Sequence, residues 1–256
     1  VGAAVLKVRS LLAFLGLLAW FVLGGLYQRV VVWPIVLVRP SRRAAVVSAY
    51  MRGMSYVILV LIRFGGGRAV RMGHLPTGAP MLAVMNHQSL LDIPTAILMA
   101  RPCVPWFVTR RRYGRFIPAV SLCIRLLGCP LIEPRDRRQS LRMLRETARG
   151  QPHGVLIFPE GHRSPDGEVR PFKTAGAELM LRERLVPVYL VVTDGFWRCR
   201  HIMDFVFNMN MIDGWTEVLG PFEPRPGQDL GEFLEELRDR MIAHLEAMRE
   251  RVGASA

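Results

Sequence analysis

The sequence predicts an α/β fold: a mostly parallel central sheet flanked by helices, with an N-terminal membrane-associated helical segment. Three observations carry this. Past residue 65, short apolar runs of strand length alternate with segments of helical periodicity, the pattern of strand–helix–strand units. Two of those runs end in polar loops rich in chemistry, where open parallel sheets hold their ligands. Ahead of them stand 64 residues dominated by long uncharged stretches.

The chain divides accordingly into a membrane-anchoring helical segment, residues 1–64, and an α/β domain, residues 65–256. Residues 11–27 carry no charge; as a helix rising 1.5 Å per residue they cover about 25 Å, slightly short of a ~30 Å hydrocarbon core. Gln28 and Arg29 interrupt the run and residues 30–38 resume it. A basic hinge, Arg39-Pro40-Ser41-Arg42-Arg43, precedes a second apolar stretch over 44–64 that contains Arg52 and Arg63. Three readings are open: a helix spanning from about Ser10, two helices dipping into the interface with a turn between Pro34 and Pro40, and a signal peptide. The run exceeds the ~7–15 apolar residues of a signal peptide and no small-residue cleavage site follows. Spanning is narrowly preferred to dipping, and the basic hinge places the α/β domain on the cytoplasmic side. Gly65, Gly66 and Gly67 precede no Lys-Ser/Thr pair and have no G-x-G-x-x-G spacing, so they read as a flexible linker.

In the α/β part, residues 81–85 form a buried strand, and 93–99 a helix with Pro94 in its first turn. Residues 104–108 read as a strand, 117–127 and 141–149 as helices, and 155–158 as a buried strand. A helix over 175–184 and a strand over 186–192 follow. Near the end, Asp229 and Glu232 make a capping pair for a helix striped by Leu230, Phe233, Leu234, Leu237, Met241 and Leu245.

Composition narrows the function. With 51% hydrophobic residues the chain is not disordered. Its 34 Lys and Arg against 21 Asp and Glu give a net charge of +13, which favours an anionic partner. Residues 101–150 alone hold twelve arginines and three acids. A mean hydropathy of +0.23 and the absence of a recognisable nucleic-acid motif point to an anionic membrane and not to nucleic acid. Cys103, Cys123, Cys129 and Cys199 form no C-x-x-C pair, so no metal site is expected, and they read as reduced thiols.

The first loaded loop is Asn86-His87-Gln88-Ser89-Leu90-Leu91-Asp92. A turn between His87 and Asp92 lets the carboxylate orient the imidazole, an arrangement suited to a general base. No G-x-S-x-G elbow supplies a serine nucleophile, so the substrate's own hydroxyl is the simplest one. The alternative is an ordinary loop histidine and a helix-capping aspartate. In the second loop, Pro159-Glu160-Gly161-His162-Arg163-Ser164, Arg163 suits bidentate contact with a phosphate. Gly161 admits a ligand close to the main chain, Glu160 can accept from a substrate hydroxyl, and Lys173 adds a cation. The alternative there is a solvated turn with an internal ion pair. Arg110, Arg111, Arg112 and Arg115 read equally as contacts to lipid or donor phosphates and as a solvated basic face.

Together these segments resemble the glycerolipid acyltransferases, specifically the 1-acylglycerol-3-phosphate (lysophosphatidic acid) acyltransferase family. That family's His-four-residues-Asp block is matched by His87 to Asp92. Its Phe-Pro-Glu-Gly block followed by Thr-Arg-Ser is matched by Phe158 to Ser164, with His162 in place of Thr. An arginine after an apolar strand is matched best by Arg135, and Val-Pro-Val by Val186, Pro187 and Val188. The resemblance covers roughly residues 70–220. It implies a membrane-bound enzyme that uses acyl-CoA or acyl-ACP (acyl carrier protein) as co-substrate and needs no further cofactor. The acyl group goes to a lysophospholipid hydroxyl, giving phosphatidic acid on the cytoplasmic face of a bacterial inner membrane. By the same resemblance His87 is the base, oriented by Asp92. Gly161 and Arg163, helped by Arg135 and Lys173, hold the acceptor phosphate, and Glu160 positions the acceptor. A different lyso-acceptor, such as a lyso-aminolipid, and a non-catalytic lipid-binding protein are the alternatives.

Overall fold

Helix α1 (Ala3–Tyr27) opens the computed structural model, which describes residues 2–253. A π-helical turn, Gln28–Val32, carries α1 into α2 (Trp33–Val38), which has Pro34 in its first turn. The polar pair at 28–29 therefore does not end the helix. The chain reverses at the basic hinge and returns as α3 (Arg43–Phe64). Gly65, Gly66 and Gly67 are a packed turn and not a flexible linker. A Cβ on Gly67 would stand 2.6 Å from the Met209 carbonyl oxygen and 2.7 Å from Ile62, and Gly66 holds φ at +97°. Only residues without a side chain fit this close approach.

Beyond the turn come β1 (Arg68–Met72), β2 (Leu75–Pro76), β3 (Leu82–Met85), α4 (Asp92–Met99), β4 (Ala100–Arg101), β5 (Trp106–Phe107) and β6 (Thr109–Arg110). Next are α5 (Ser121–Leu127), β7 (Leu131–Ile132), α6 (Arg137–Gly150), β8 (Val155–Ile157), α7 (Ala175–Glu183) and β9 (Val188–Asp194). Helix α8 (Phe205–Asn208), β10 (Asp213–Phe222) and α9 (Leu230–Gly253) complete the chain. The main sheet runs β1-β10-β9-β3-β8-β5 and is parallel except where β10 meets β9. This is the mostly parallel α/β architecture read from the sequence. Strands β1 and β10 had no counterpart in that reading. β1 carries Arg68 and Arg71, three apart and out of step with a two-residue repeat, and β10 contains Gly214, Gly220 and Pro221, which mask strand periodicity. Helix α5 starts only at Ser121, four residues later than its apolar spacing predicts. Pro118 disfavours helix at Ile117, and Phe116 and Ala119 both take positive φ.

Side chains alternate across the central strands. Leu82, Val84, Val155 and Ile157 pack beneath α6, α7 and α9. Ala83, Met85 and Leu156 face the other way, onto Val47 of α3, Ala96 of α4 and Cys123 of α5. A third cluster joins Ala13 and Leu17 of α1 to Ile62, Phe196, Phe205 and Met209. The N-terminal helices thus share their cores with the α/β part.

Candidate active site

Strands β3 and β8 are parallel neighbours with Val84 beside Ile157. Three residues further along each strand stand His87 and Glu160, so the register brings the two loops together at the carboxyl edge of the sheet. Asn86 ties this edge down. Its amide donates to the Thr193 carbonyl at 2.8 Å and accepts from the Thr193 N–H at 2.8 Å.

Asp92 opens α4 and is fully buried. Its Oδ2 accepts from the N–H groups of Gln88 and Ser89, at 2.7 and 2.9 Å, and lies 2.7 Å from His87 Nδ1. This geometry places the proton on Nδ1 and leaves Nε2 as the acceptor. The ring lies against Phe158, with centroids 4.2 Å apart, and remains partly exposed.

Glu160 is buried, and burial pushes its carboxyl up to about 7, against the opposing effect of two main-chain N–H bonds. Oε1 accepts from His87 N at 2.8 Å and Oε2 from Arg170 N at 3.1 Å. The Ser164 N–H closes the junction on the His87 carbonyl at 2.7 Å. Beside it opens a cleft of about 550 Å³ lined by Glu160, His162, Arg163, Arg170, Lys173 and Arg200, with two prolines. Five of those eight side chains carry or can carry positive charge, which suits an anionic ligand.

A family model described as acyltransferase matches residues 68–192. That segment holds both loops and the strands that position them. Over that segment, just under half of the chain, the sequence is similar to the acyltransferase family. A 1-acyl-sn-glycerol-3-phosphate acyltransferase of Saccharomyces cerevisiae is 27% identical over 171 residues, covering 64% of this chain and 54% of the relative. One of Chlamydomonas reinhardtii is 33% identical over 124 residues, covering 46% and 36%. The chain thus spans between about a third and a half of these relatives' lengths. The crystal structure of the 1-acyl-sn-glycerophosphate acyltransferase PlsC from Thermotoga maritima superposes with a TM-score of 0.65 at 23% identity, covering 94% of this chain and 99% of that one. The fold is therefore shared along nearly the whole chain.

Within the segment similar to acyltransferases, His87, Asp92, Glu160, Gly161 and Lys173 come together as one constellation, and Arg163 lines the same cleft. Gly161 does not offer its amide to a ligand, because its N–H already donates to the Phe158 carbonyl at 3.1 Å. What it supplies is room. At φ +77°, an added Cβ would sit 3.0 Å from Lys173 Nζ. Arg163 donates to the Arg200 carbonyl, which aims the guanidinium along the cleft wall. Arg135 is exposed, three residues past the end of β7, and among the described residues no hydrogen bond or ion pair ties it to the cleft. Arg110, which pairs with Ile132 across the small sheet, donates to the Gly161 carbonyl at 3.2 Å.

Three contributors escaped sequence reasoning. Arg170 and Arg200 line the cleft from segments without a motif. Gln88 bridges the Gly167 carbonyl at 3.0 Å and Asp194 at 3.1 Å, and accepts from Phe196 N. Its partners lie 79 to 108 positions away, so no local pattern marks it.

Proposed function

We propose that the chain is a membrane-bound O-acyltransferase that moves a fatty acyl group from an acyl-CoA or acyl-ACP thioester to the free sn-2 hydroxyl of 1-acylglycerol-3-phosphate, giving phosphatidic acid. The observation that carries this reading is the open Nε2 of His87, held by Asp92 beside a cation-lined cleft. Nε2 takes the proton of the acceptor hydroxyl. The oxygen attacks the thioester carbonyl, the adduct expels the thiolate, and the thiolate recovers the proton from the imidazolium. Asp92 fixes the ring's tautomer and stabilises its charged form.

Protein groups nearby are poor competitors as nucleophile. The Ser89 hydroxyl is buried and donates to the Cys199 carbonyl. Burial pushes the thiols of Cys123, Cys129 and Cys199 up to about 12, so they hold their protons at neutral pH. In this reading Arg163, Lys173, Arg170 and Arg200 bind the acceptor phosphate, with Arg135 reaching in from its loop. Glu160 braces the two loops against each other and borders the bound acceptor.

Membrane attachment is assigned to the apolar helices. The stretch Ala3–Val38 is 36 residues long, about 54 Å of helix, yet it packs on the α/β part from Ala13 to Val36. A helix so tied to a charged domain lies along a bilayer face, with Val22, Leu26 and Val30 turned outward into lipid. This favours the dipping arrangement over the spanning one. Arg39, Arg42 and Arg43 are exposed at the corner of the hairpin, where they meet anionic headgroups of the cytoplasmic leaflet of a bacterial inner membrane.

The test is acyl transfer from a labelled thioester to a panel of lysolipids with and without phosphate. Selective use of phosphate-bearing acceptors supports the proposal. Selective use of a lyso-aminolipid would reassign the acceptor, and binding without transfer would leave a lipid-binding protein.

A further inference from the structure

Between β9 and β10 the chain runs through four short helical turns, over residues 197–211, whose two sides differ sharply. Phe205 and Met209 are buried against Ala13 and Leu17 of α1. Met203, Phe207 and Met211, spaced by four, face outward with 68%, 50% and 44% of their surface exposed, and Ile202 beside them is 44% exposed. So much apolar side chain on so few residues marks a contact surface. The segment is also wired to both catalytic loops. Ser89 donates to the Cys199 carbonyl, Arg163 donates to the Arg200 carbonyl, and the Arg200 side chain lines the cleft. In the His87 loop, Leu90 is 40% exposed, while its neighbour Leu91 packs with Phe196 and Cys199.

We propose that residues 202–211 form a second membrane-contacting segment, seated at the headgroup–acyl boundary, across which a lysolipid moves from the bilayer into the cleft. The proposal deepens the functional reading above and rests on its membrane-bound acceptor. Two features identify a bilayer as the occupant. The segment packs directly on α1 at Ala13 and Leu17, and the same stretch of α1 exposes Leu12, Leu15 and Leu18. Its apolar stripe is bordered by Arg198, Arg200 and His201, the pairing of apolar stripe and cations that suits an anionic interface. A lipid whose tail rests on Met203 and Leu90 carries its headgroup towards Arg200 and Arg163.

The first test does not depend on activity. In a Cys103→Ser background, a nitroxide on Met203→Cys is compared with one on Glu146→Cys, which lies on α6 in the opposite layer. Vesicles of equal parts phosphatidylglycerol and phosphatidylcholine are then added. At position 203, collisions with oxygen should rise and collisions with a water-soluble quencher fall by about threefold or more, with no change at 146. A label at 203 that stays as water-accessible as the one at 146 overturns the proposal. So does a label already shielded from the quencher before vesicles are added, which would identify a protein contact. The second test is kinetic. Met203→Asp combined with Phe207→Asp should raise the apparent KM for vesicle-borne acceptor about tenfold and that for a short-chain monomeric acceptor less than about twofold. Equal effects on the two acceptors reject an entry role. A wild-type protein inactive on both acceptors would count against the acyltransferase reading while the spin-label result still decides the membrane contact.

Discussion

Replacing Asp92 by Asn probes the pair at the centre of the site with little change in volume. Asp92 Oδ2 receives three hydrogen bonds, and its Oδ1 is buried without a partner among the described residues. An asparagine that keeps its oxygen in the Oδ2 position preserves all three bonds but buries an NH₂ at the Oδ1 position. Leaving those donors unmade costs roughly 1–3 kcal/mol of stability. The larger effect falls on the transition state, where the imidazolium loses its counter-charge. At about 4 Å between charge centres and an effective dielectric near 20, that attraction is worth about 4 kcal/mol. At 1.4 kcal/mol per decade, kcat should fall about a thousandfold. The assay is thioester turnover with saturating acceptor, alongside thermal unfolding to confirm that the variant is folded. A folded Asp92→Asn protein that keeps kcat within about threefold of wild type would refute the reasoning. So would an alanine variant less impaired than the asparagine one.

Arg163→Lys exchanges a fork for a point charge and cannot serve both the Arg200 carbonyl and a phosphate. The KM for phosphate-bearing acceptor should rise about tenfold with the thioester KM nearly unchanged, and a parallel rise in both would discount Arg163 as the anchor. Glu160 binds its proton more tightly in the folded chain, with its carboxyl at about 7 against 4.5 for a free one. Its contribution is therefore complete below about pH 4.5 and is lost as pH rises through about 7, by roughly 3 kcal/mol. Denaturant melts from about pH 5 to pH 8 should show that slope in wild type and a flatter one in Glu160→Gln, whereas parallel curves would contradict the assignment. Gly161→Ala adds a Cβ at positive φ against Lys173, and should cost about 1–2 kcal/mol, seen as a Tm lower by about 4 °C. An unchanged Tm would mean that the turn tolerates a side chain.

Much of the site is legible in the sequence because its key relations are local or repeat along parallel strands. Four residues separate His87 from Asp92, and each of the two loops follows a fully apolar run, so pairing those runs suffices to bring the loops together. Relations across the fold leave no such trace. The antiparallel strand β10 interrupts its own pattern with glycines and a proline, and Gln88 is explained only by partners brought in from Gly167 and Asp194. The glycine triplet shows the converse error. Composition suggests freedom, and only the approach of Met209 and Ile62 reveals that the residues are glycine because nothing larger fits. Arg200 belongs to the cleft because its segment is pinned to α1 through Phe205, a contact that no spacing rule announces.

The central claim is that His87 removes the proton from a lipid hydroxyl. Its most direct test is a single-turnover measurement with purified protein in vesicles, a labelled acyl thioester and 1-acylglycerol-3-phosphate, comparing wild type with His87→Ala. Wild type should form phosphatidic acid, and His87→Ala should form almost none while remaining vesicle-bound and folded. Equal product from both proteins would contradict it.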